Sequence, residues 1–435
     1  DNHAYYMNFP ISIFANFLDA EIVAATVHVL QFVLFAFIVY LYLVRREVSI
    51  GASLLFAFVV MAHPNWSLAV QGQYYFDRLY LPIGLLLCIF VYDLIDKAFS
   101  FRKLLTVVII AVIASAIQER AALITAISLS LFAVFFFHSL NKKYSISLFT
   151  LSLLIVCYTV FIMTTFETDS FSSNAGQYKS AIKMFFNPYF IQDPSKLILV
   201  YTFFAVNLFL GIWGIFSKRL LLLAFIIMLP NILIWIPGSA SKTGWLTHYH
   251  SYYFPFLVFA AMHGFMVLRN IIRNKYATNS AFVITFLLLI FLNPYQHNLG
   301  FKNTPKNNAL VASVLFMADK KGSSERVFID YKRRLAELIP AGSVVSTQDG
   351  MFSTLYKKRD VLYFPVGINK AEYIVLSNRG EADETPRFRT AITYNGKEAQ
   401  LTIDRCMEQK LIDNGFNVEE PIKIGYFSIL KKTTE

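Results

Sequence analysis

The feature that most constrains this chain is the alternation of charge between its apolar runs. Roughly ten hydrophobic stretches approaching bilayer length fill the first two thirds of the sequence. They read as residues 22–44, 50–62, 79–95, 104–117, 121–137, 146–165, 197–216, 220–236, 252–268 and 281–292. Every second gap is basic: Arg45-Arg46, then Lys97 with Arg102-Lys103, Lys142-Lys143, Lys218-Arg219, and Arg269 with Arg273 and Lys275. By the positive-inside rule these gaps face the cytoplasm. The intervening gaps carry the His, Asp, Glu, Trp and Tyr residues, so nearly all the residues capable of chemistry are expected on the opposite, extracytoplasmic side.

Composition agrees with a multi-pass membrane protein. Charged residues are 15% and hydrophobic residues 56% of the chain, whereas a soluble protein carries about a quarter charged residues. The net charge of +11 does not point to nucleic acid, because the basic residues sit in short inter-helix loops where topology accounts for them. The bilayer and its anionic headgroups are the expected partners. Cys88, Cys157 and Cys406 are too scattered for a disulfide framework or a zinc site. Cys88 and Cys157 lie inside apolar runs and read as small core residues. The chain opens on Asp1-Asn2-His3 with neither an initiator Met nor a basic leader, as expected of a fragment or a processed chain.

The alternation depends on one division. Leu104 to Phe137 contains no Gly or Pro, yet as one helix it would span roughly 50 Å, too much for a core about 30 Å thick. It is therefore split at Glu119. Several spans are shorter than the roughly 20 residues of an upright crossing, which implies a bundle with water-accessible cavities. The fold class is thus an α-helical polytopic bundle over residues 1–294, a linker over 295–322, and a small C-terminal α/β domain over 323–435, expected outside the membrane. In that domain Glu325 to Leu338 reads as an amphipathic helix. Strands are expected at 343–346, 361–364, 373–376 and 425–430, with a helix from Arg405 to Asn414 stopped by Gly415. No glycine pattern for nucleotide phosphates is present.

Glu119-Arg120 is the sharpest local signal, since a charge at membrane depth costs about 2.5–3.5 kcal/mol by insertion scales. It reads either as a carboxylate in a cavity beside a guanidinium, or as a solvated hairpin tip with Arg120 reaching the interface. Asp77-Arg78 reads either as a second external acid with its arginine or as a helix N-terminus favouring a carboxylate. Thr247-His248-Tyr249-His250-Ser251 stands at the mouth of a span. If that segment is extended, His248 and His250 share one side and could bind a phosphate. Interface anchoring by aromatic residues is the plain alternative, and two imidazoles alone make no metal site. No cofactor is assigned; a divalent metal has no ligand set to support it. Asn65-Trp66-Ser67 fits a glycosylation sequon. The aromatic, basic stretch within Glu167 to Lys196 reads as a surface amphipathic helix or a plain loop.

At these residues the chain resembles the domain-of-unknown-function 2079 family, multi-spanning membrane proteins associated with GT-C-type glycosyltransferases. The resemblance covers nearly the whole chain. It is carried by Asp1-Asn2-His3 to Pro10-Ile11, Asp77 to Pro82, Gln118-Glu119-Arg120-Ala121, and Thr247-His248-Tyr249-His250 with Phe254-Pro255. Its most specific part is Ile339-Pro340-Ala341-Gly342-Ser343-Val344, Leu362-Tyr363-Phe364-Pro365 and Ala371-Glu372-Tyr373-Ile374-Val375-Leu376. Arg120 replaces the second acid of the family's Glu-Asp pair, so no role carries over to it. The family's first span, with the loop where GT-C enzymes place their catalytic Asp, is expected upstream of Asp1.

The resemblance implies sugar transfer from a polyprenyl-phosphate donor on the extracytoplasmic face to an unknown glycan, lipid or protein acceptor. Glu119 or Asp77 would be the base. Arg78, Arg120, His248, Tyr249 and His250 would contact substrate or phosphate. The alternatives are a transporter or flippase, against which the lack of an internal repeat counts, and a non-catalytic envelope scaffold.

Overall fold

The computed structural model describes residues 13–14, 17–18, 20–61, 63, 76–95, 97–166, 204, 207–235, 248–272, 274–292, 333–335, 337–347, 355, 359–364, 367–377, 407–418, 420–424 and 427–433. The chain divides into two compact units, one of Asp1–Asn16 with Val23–Leu315 and one of Phe17–Ile22 with Phe316–Glu435. The expected linker over 295–322, the sequon and the stretch from Glu167 to Lys196 lie outside the described residues.

The first unit is a helical bundle. Its helices are α1 (Ala20–Arg45), α2 (Ile50–Met61), α3 (Tyr80–Tyr92), α4 (Phe101–Ser115), α5 (Glu119–Phe135), α6 (Lys142–Phe166), α7 (residues 207–214), α8 (Lys218–Trp235), α9 (Phe254–Ile272) and α10 (Lys275–Leu292). Two 3₁₀ turns, Phe76–Leu79 and His248–Tyr252, lead into α3 and α9. Four stretches are long and apolar enough to cross a membrane: Thr26–Arg45, Lys142–Ile162, Asn207–Pro230 and Phe254–Ile272. Their exposed faces are hydrophobic, with Val29, Val33 and Phe37 on α1 and Leu153, Leu154 and Phe161 on α6 open to the surroundings. Such surface suits lipid, where the helix satisfies every backbone polar group internally.

Ten crossings are not reached by length. α2 through α5 have 12, 13, 15 and 17 residues, or about 18–26 Å at 1.5 Å per residue, short of the roughly 30 Å core. The division at Glu119 is present. α4 ends at Ser115, Gln118 is extended with φ −168° and ψ 160°, and α5 starts at Glu119. No Gly or Pro breaks the run; the interruption coincides with two buried polar side chains, Gln118 and Glu119.

α5 and α6 pack closely through small hydroxyls, Ser130 donating to Ser152 at 2.8 Å and Ser152 to the Ala126 carbonyl at 2.7 Å. At the basic ends of the helices, Arg46 pairs with Asp93 at 2.6 Å. Nearby the Tyr42 hydroxyl and His263 Nε2 are 2.8 Å apart, and Tyr92 lies against the same imidazole. Cys88 is buried in the core as expected, but Cys157 is exposed on α6. An apolar run does not reveal which of its faces meets protein.

The second unit is a five-stranded mixed sheet in the order β2-β1-β3-β5-β4. β1 (Val344–Thr347) is flanked in parallel by β2 (Asp360–Tyr363) and β3 (Tyr373–Ser377). β5 (Phe427–Lys431) runs antiparallel between β3 and β4 (Ile422–Ile424). Strand alternation sends Val345, Val375 and Ile429 to one face with Leu335 and Ile339, and Ile374, Leu376 and Leu430 to the other with Leu411 and Phe416. Gly342, at φ +86°, makes the turn into β1. Gly415, at φ +80°, ends the helix at 407–413; Phe416 N–H reaches the Leu411 carbonyl at 3.1 Å and Gly415 N–H that of Ile412 at 2.8 Å. This is the Schellman geometry, and it requires the left-handed residue that glycine supplies at least cost.

Candidate functional site

The two 3₁₀ turns pack against each other and thereby join the two most polar loop ends of the bundle. Asp77 and Arg78 on the first turn, and His250 and Ser251 on the second, are fully buried. His63, just beyond α2, is also fully buried, and Glu119 at the start of α5 is 6% exposed. Two carboxylates, one guanidinium and two imidazoles are thus withdrawn from solvent at one end of the bundle. Burial of an ion costs several kcal/mol unless opposite charges and donors are gathered beside it.

Phe254, the first residue of α9, is the hub. His63 packs against it tilted by 60° with ring centroids 5.0 Å apart, and His250 approaches edge-on at 6.4 Å and 89°. Phe35 of α1 closes a third side at 6.1 Å. The Arg78 guanidinium carbon lies 6.0 Å from the ring centre of Phe32, within range of a cation–π contact. One turn back on α1, Gln31 Nε2 and His28 Nδ1 are 3.2 Å apart.

Glu119 is held from the side. Tyr252 donates its hydroxyl to Gln118 Oε1, and Gln118 Nε2 lies 3.5 Å from Glu119 Oε1. The Tyr252 ring packs on Tyr80, whose hydroxyl meets Thr125 at 3.2 Å. Loss of the Tyr252 hydroxyl would strand the acceptor of Gln118, a residue only 1% exposed. Tyr252→Phe is therefore expected to cost about 1–3 kcal/mol of stability. Thermal unfolding of the detergent-solubilised protein checks it, with Gln118→Leu completing the cycle. Coupling below about 0.5 kcal/mol would mean the two side chains act independently.

Of the expected residues, Asp77, Arg78, Glu119, Arg120 and His250 have described side chains. Glu119 is not a solvated hairpin tip; it is buried in the cluster. Arg120 is half-buried, and successive helical positions differ by about 100°, so it does not share the direction of Glu119. Asp77 lies in the first turn of the 3₁₀ segment that runs directly into α3; the residue preceding α3 itself is Leu79, with no side-chain cap bond. The condition under which His248 and His250 would share one side, an extended segment, is not met. Residues 248–252 form a 3₁₀ turn, in which positions i and i+2 are about 240° apart rather than on one side. The side chains of His248 and Tyr249 lie outside the described residues.

His28, Gln31, Phe32 and Phe35 were not among the expected residues. Their i, i+3, i+4, i+7 spacing marks one helix face, and His28 and Gln31 are polar interruptions in an otherwise apolar run. Among the described residues, no group of three or more His, Cys, Asp or Glu side chains could hold a metal ion. No protein-family model matches the chain, and no curated protein matches it.

Proposed function

We propose that this is a membrane-embedded GT-C-like glycosyltransferase of the kind the resemblance above implies, with about ten crossings and the buried polar cluster as its reaction centre. The observation that carries the reading is the convergence of Asp77, Arg78, His63, Glu119 and His250, from four separate parts of the chain, on one buried site. Transfer from a polyprenyl-phosphate sugar needs these groups. An acceptor hydroxyl attacks the anomeric carbon and gives its proton to a carboxylate, Glu119 or Asp77. The bond from that carbon to the phosphate oxygen breaks. The polyprenyl phosphate leaves with its extra negative charge, which Arg78 and the imidazole donors stabilise. The exposed apolar face of α1 gives the polyprenyl chain a path to the site from the bilayer. In this reading the cluster faces the extracytoplasmic side.

The test is the full-length protein in proteoliposomes supplied with labelled polyprenyl-phosphate sugars and an extract of envelope glycans and lipids as acceptors. Protein-dependent release of polyprenyl phosphate with label in an acceptor is expected. Solute uptake without consumption of any donor would replace the enzyme by a transporter.

A further inference from the structure

We propose a second site, for a phosphate group, at the N-terminus of α2, the end of that helix opposite His63. It is independent of the transfer chemistry. Ser49 is the residue before α2, and its carbonyl accepts the Ser53 N–H at 2.9 Å. A serine in this position ordinarily turns its hydroxyl onto the N–H groups of the first turn. Here the Ser49 hydroxyl accepts instead from Arg269 Nη2 at 3.4 Å. Among the described residues no side chain caps the N–H groups of Ile50, Gly51 and Ala52, and the first turn of α2 carries no acid. Such a turn presents aligned donors and the positive end of the helix dipole.

Arg269 is the independent sign of a ligand. It is only 8% exposed, and its Nη1 has no hydrogen-bond partner among the described residues. It lies in the last turn of α9, where the helix carbonyls offset part of its charge, but no carboxylate is paired with it among those residues. Asp93 is engaged by Arg46 at 2.6 Å, and Glu47 is exposed. A phosphate would give the guanidinium fork the two oxygens it matches while its remaining oxygens met the N–H groups of α2. The approach is open: Gly51 is exposed, and a Cβ built on it meets nothing within 4 Å. Exposed Ile50 and Leu54 flank the place, offering apolar surface to an acyl chain if the phosphate is that of a lipid headgroup.

Two variants of the full-length protein test this. Arg269→Gln removes the charge. Gly51→Asp puts a carboxylate where the anion would sit, at a helix position that favours acids, so the fold is kept. Native mass spectrometry from phosphatidylcholine nanodiscs containing phosphatidylglycerol reads the lipid source; thermal shift by inorganic phosphate against chloride at matched ionic strength reads the free anion. Selective retention of phosphatidylglycerol, weakened about tenfold or more in both variants as expected for a lost charge-assisted contact, establishes a headgroup site. A phosphate-specific shift abolished in both variants, without lipid preference, establishes a free-phosphate site. No selectivity in either arm, or selectivity unchanged in both variants, overturns the proposal.

Discussion

Glu119→Gln should lower sugar transfer by about 10²–10⁴-fold, the usual contribution of a positioned general base, and leave the bundle folded. The substitution keeps the volume of the side chain and an oxygen for Gln118 Nε2, now 3.5 Å from Glu119 Oε1. It also removes a charge from a residue that is 6% exposed, so the folded state need not be weakened. Asp77→Asn is the necessary companion, because Asp77 is a carboxylate buried in the same cluster. If Asp77→Asn alone carries the loss, the base is Asp77 and Glu119 shapes the field around it. If both variants transfer sugar at the rate of the unaltered protein while their thermal unfolding is unchanged, neither carboxylate takes the proton.

The distinction matters because the two acids are held differently. Glu119 opens α5 and is tied through Gln118 to Tyr252 at the mouth of α9. Asp77 lies on a short 3₁₀ turn beside Arg78 and packs on the other such turn. A shift of α9 would therefore be felt first at Glu119 and through the turn contact at Asp77. Tyr252→Phe should slow transfer if Glu119 is the base, because Gln118, which lies against Glu119, loses its Tyr252 donor. Transfer should be little changed if the role belongs to Asp77.

The helices were largely legible because hydrophobic runs and their punctuation are local. The start of α2 at Ile50 falls where the apolar pattern resumes, and the division before Glu119 follows from length alone. Gly415 marked its helix end because a left-handed residue is needed there. Orientation around the helix axis was less legible. In a lipid-facing helix apolar residues cover every side, so the face of α1 bearing His28, Gln31 and Phe32 is marked only by two polar residues. The conformation of His248–Tyr252 was left open because the packing of this turn on Phe76–Leu79 is a long-range contact. β4 escaped notice because Ile422-Lys423-Ile424 is only three residues long after a proline. What brings Asp77, Glu119 and His250 together is likewise tertiary. The sequence offered only their common side of the alternation.

Gly264→Ala should be the most destabilising small substitution in the bundle, at about 3 kcal/mol or more, the upper end of the cost of overpacking. A Cβ on Gly264 would fall onto the backbone carbonyl oxygen of Trp213 and within 2.7 Å of its carbonyl carbon, with the Gly214 nitrogen at 3.4 Å. These are backbone atoms of α7, so no side-chain rotation relieves the clash and α7 and α9 must separate. That movement would loosen the aromatic cluster between them, where Trp213 and Phe265 both pack on Phe282 at 5.1 and 5.4 Å. Gly211→Ala, on the same α7, is the control: a Cβ there meets nothing within 4 Å. A helical Gly→Ala change at such a place should stabilise by about 0.5–1 kcal/mol. Thermal unfolding and size-exclusion monodispersity of the purified variants read both effects. A Gly264→Ala protein melting with the unaltered protein would mean that α7 and α9 do not meet backbone to backbone, and the packing beneath the polar cluster would have to be redrawn.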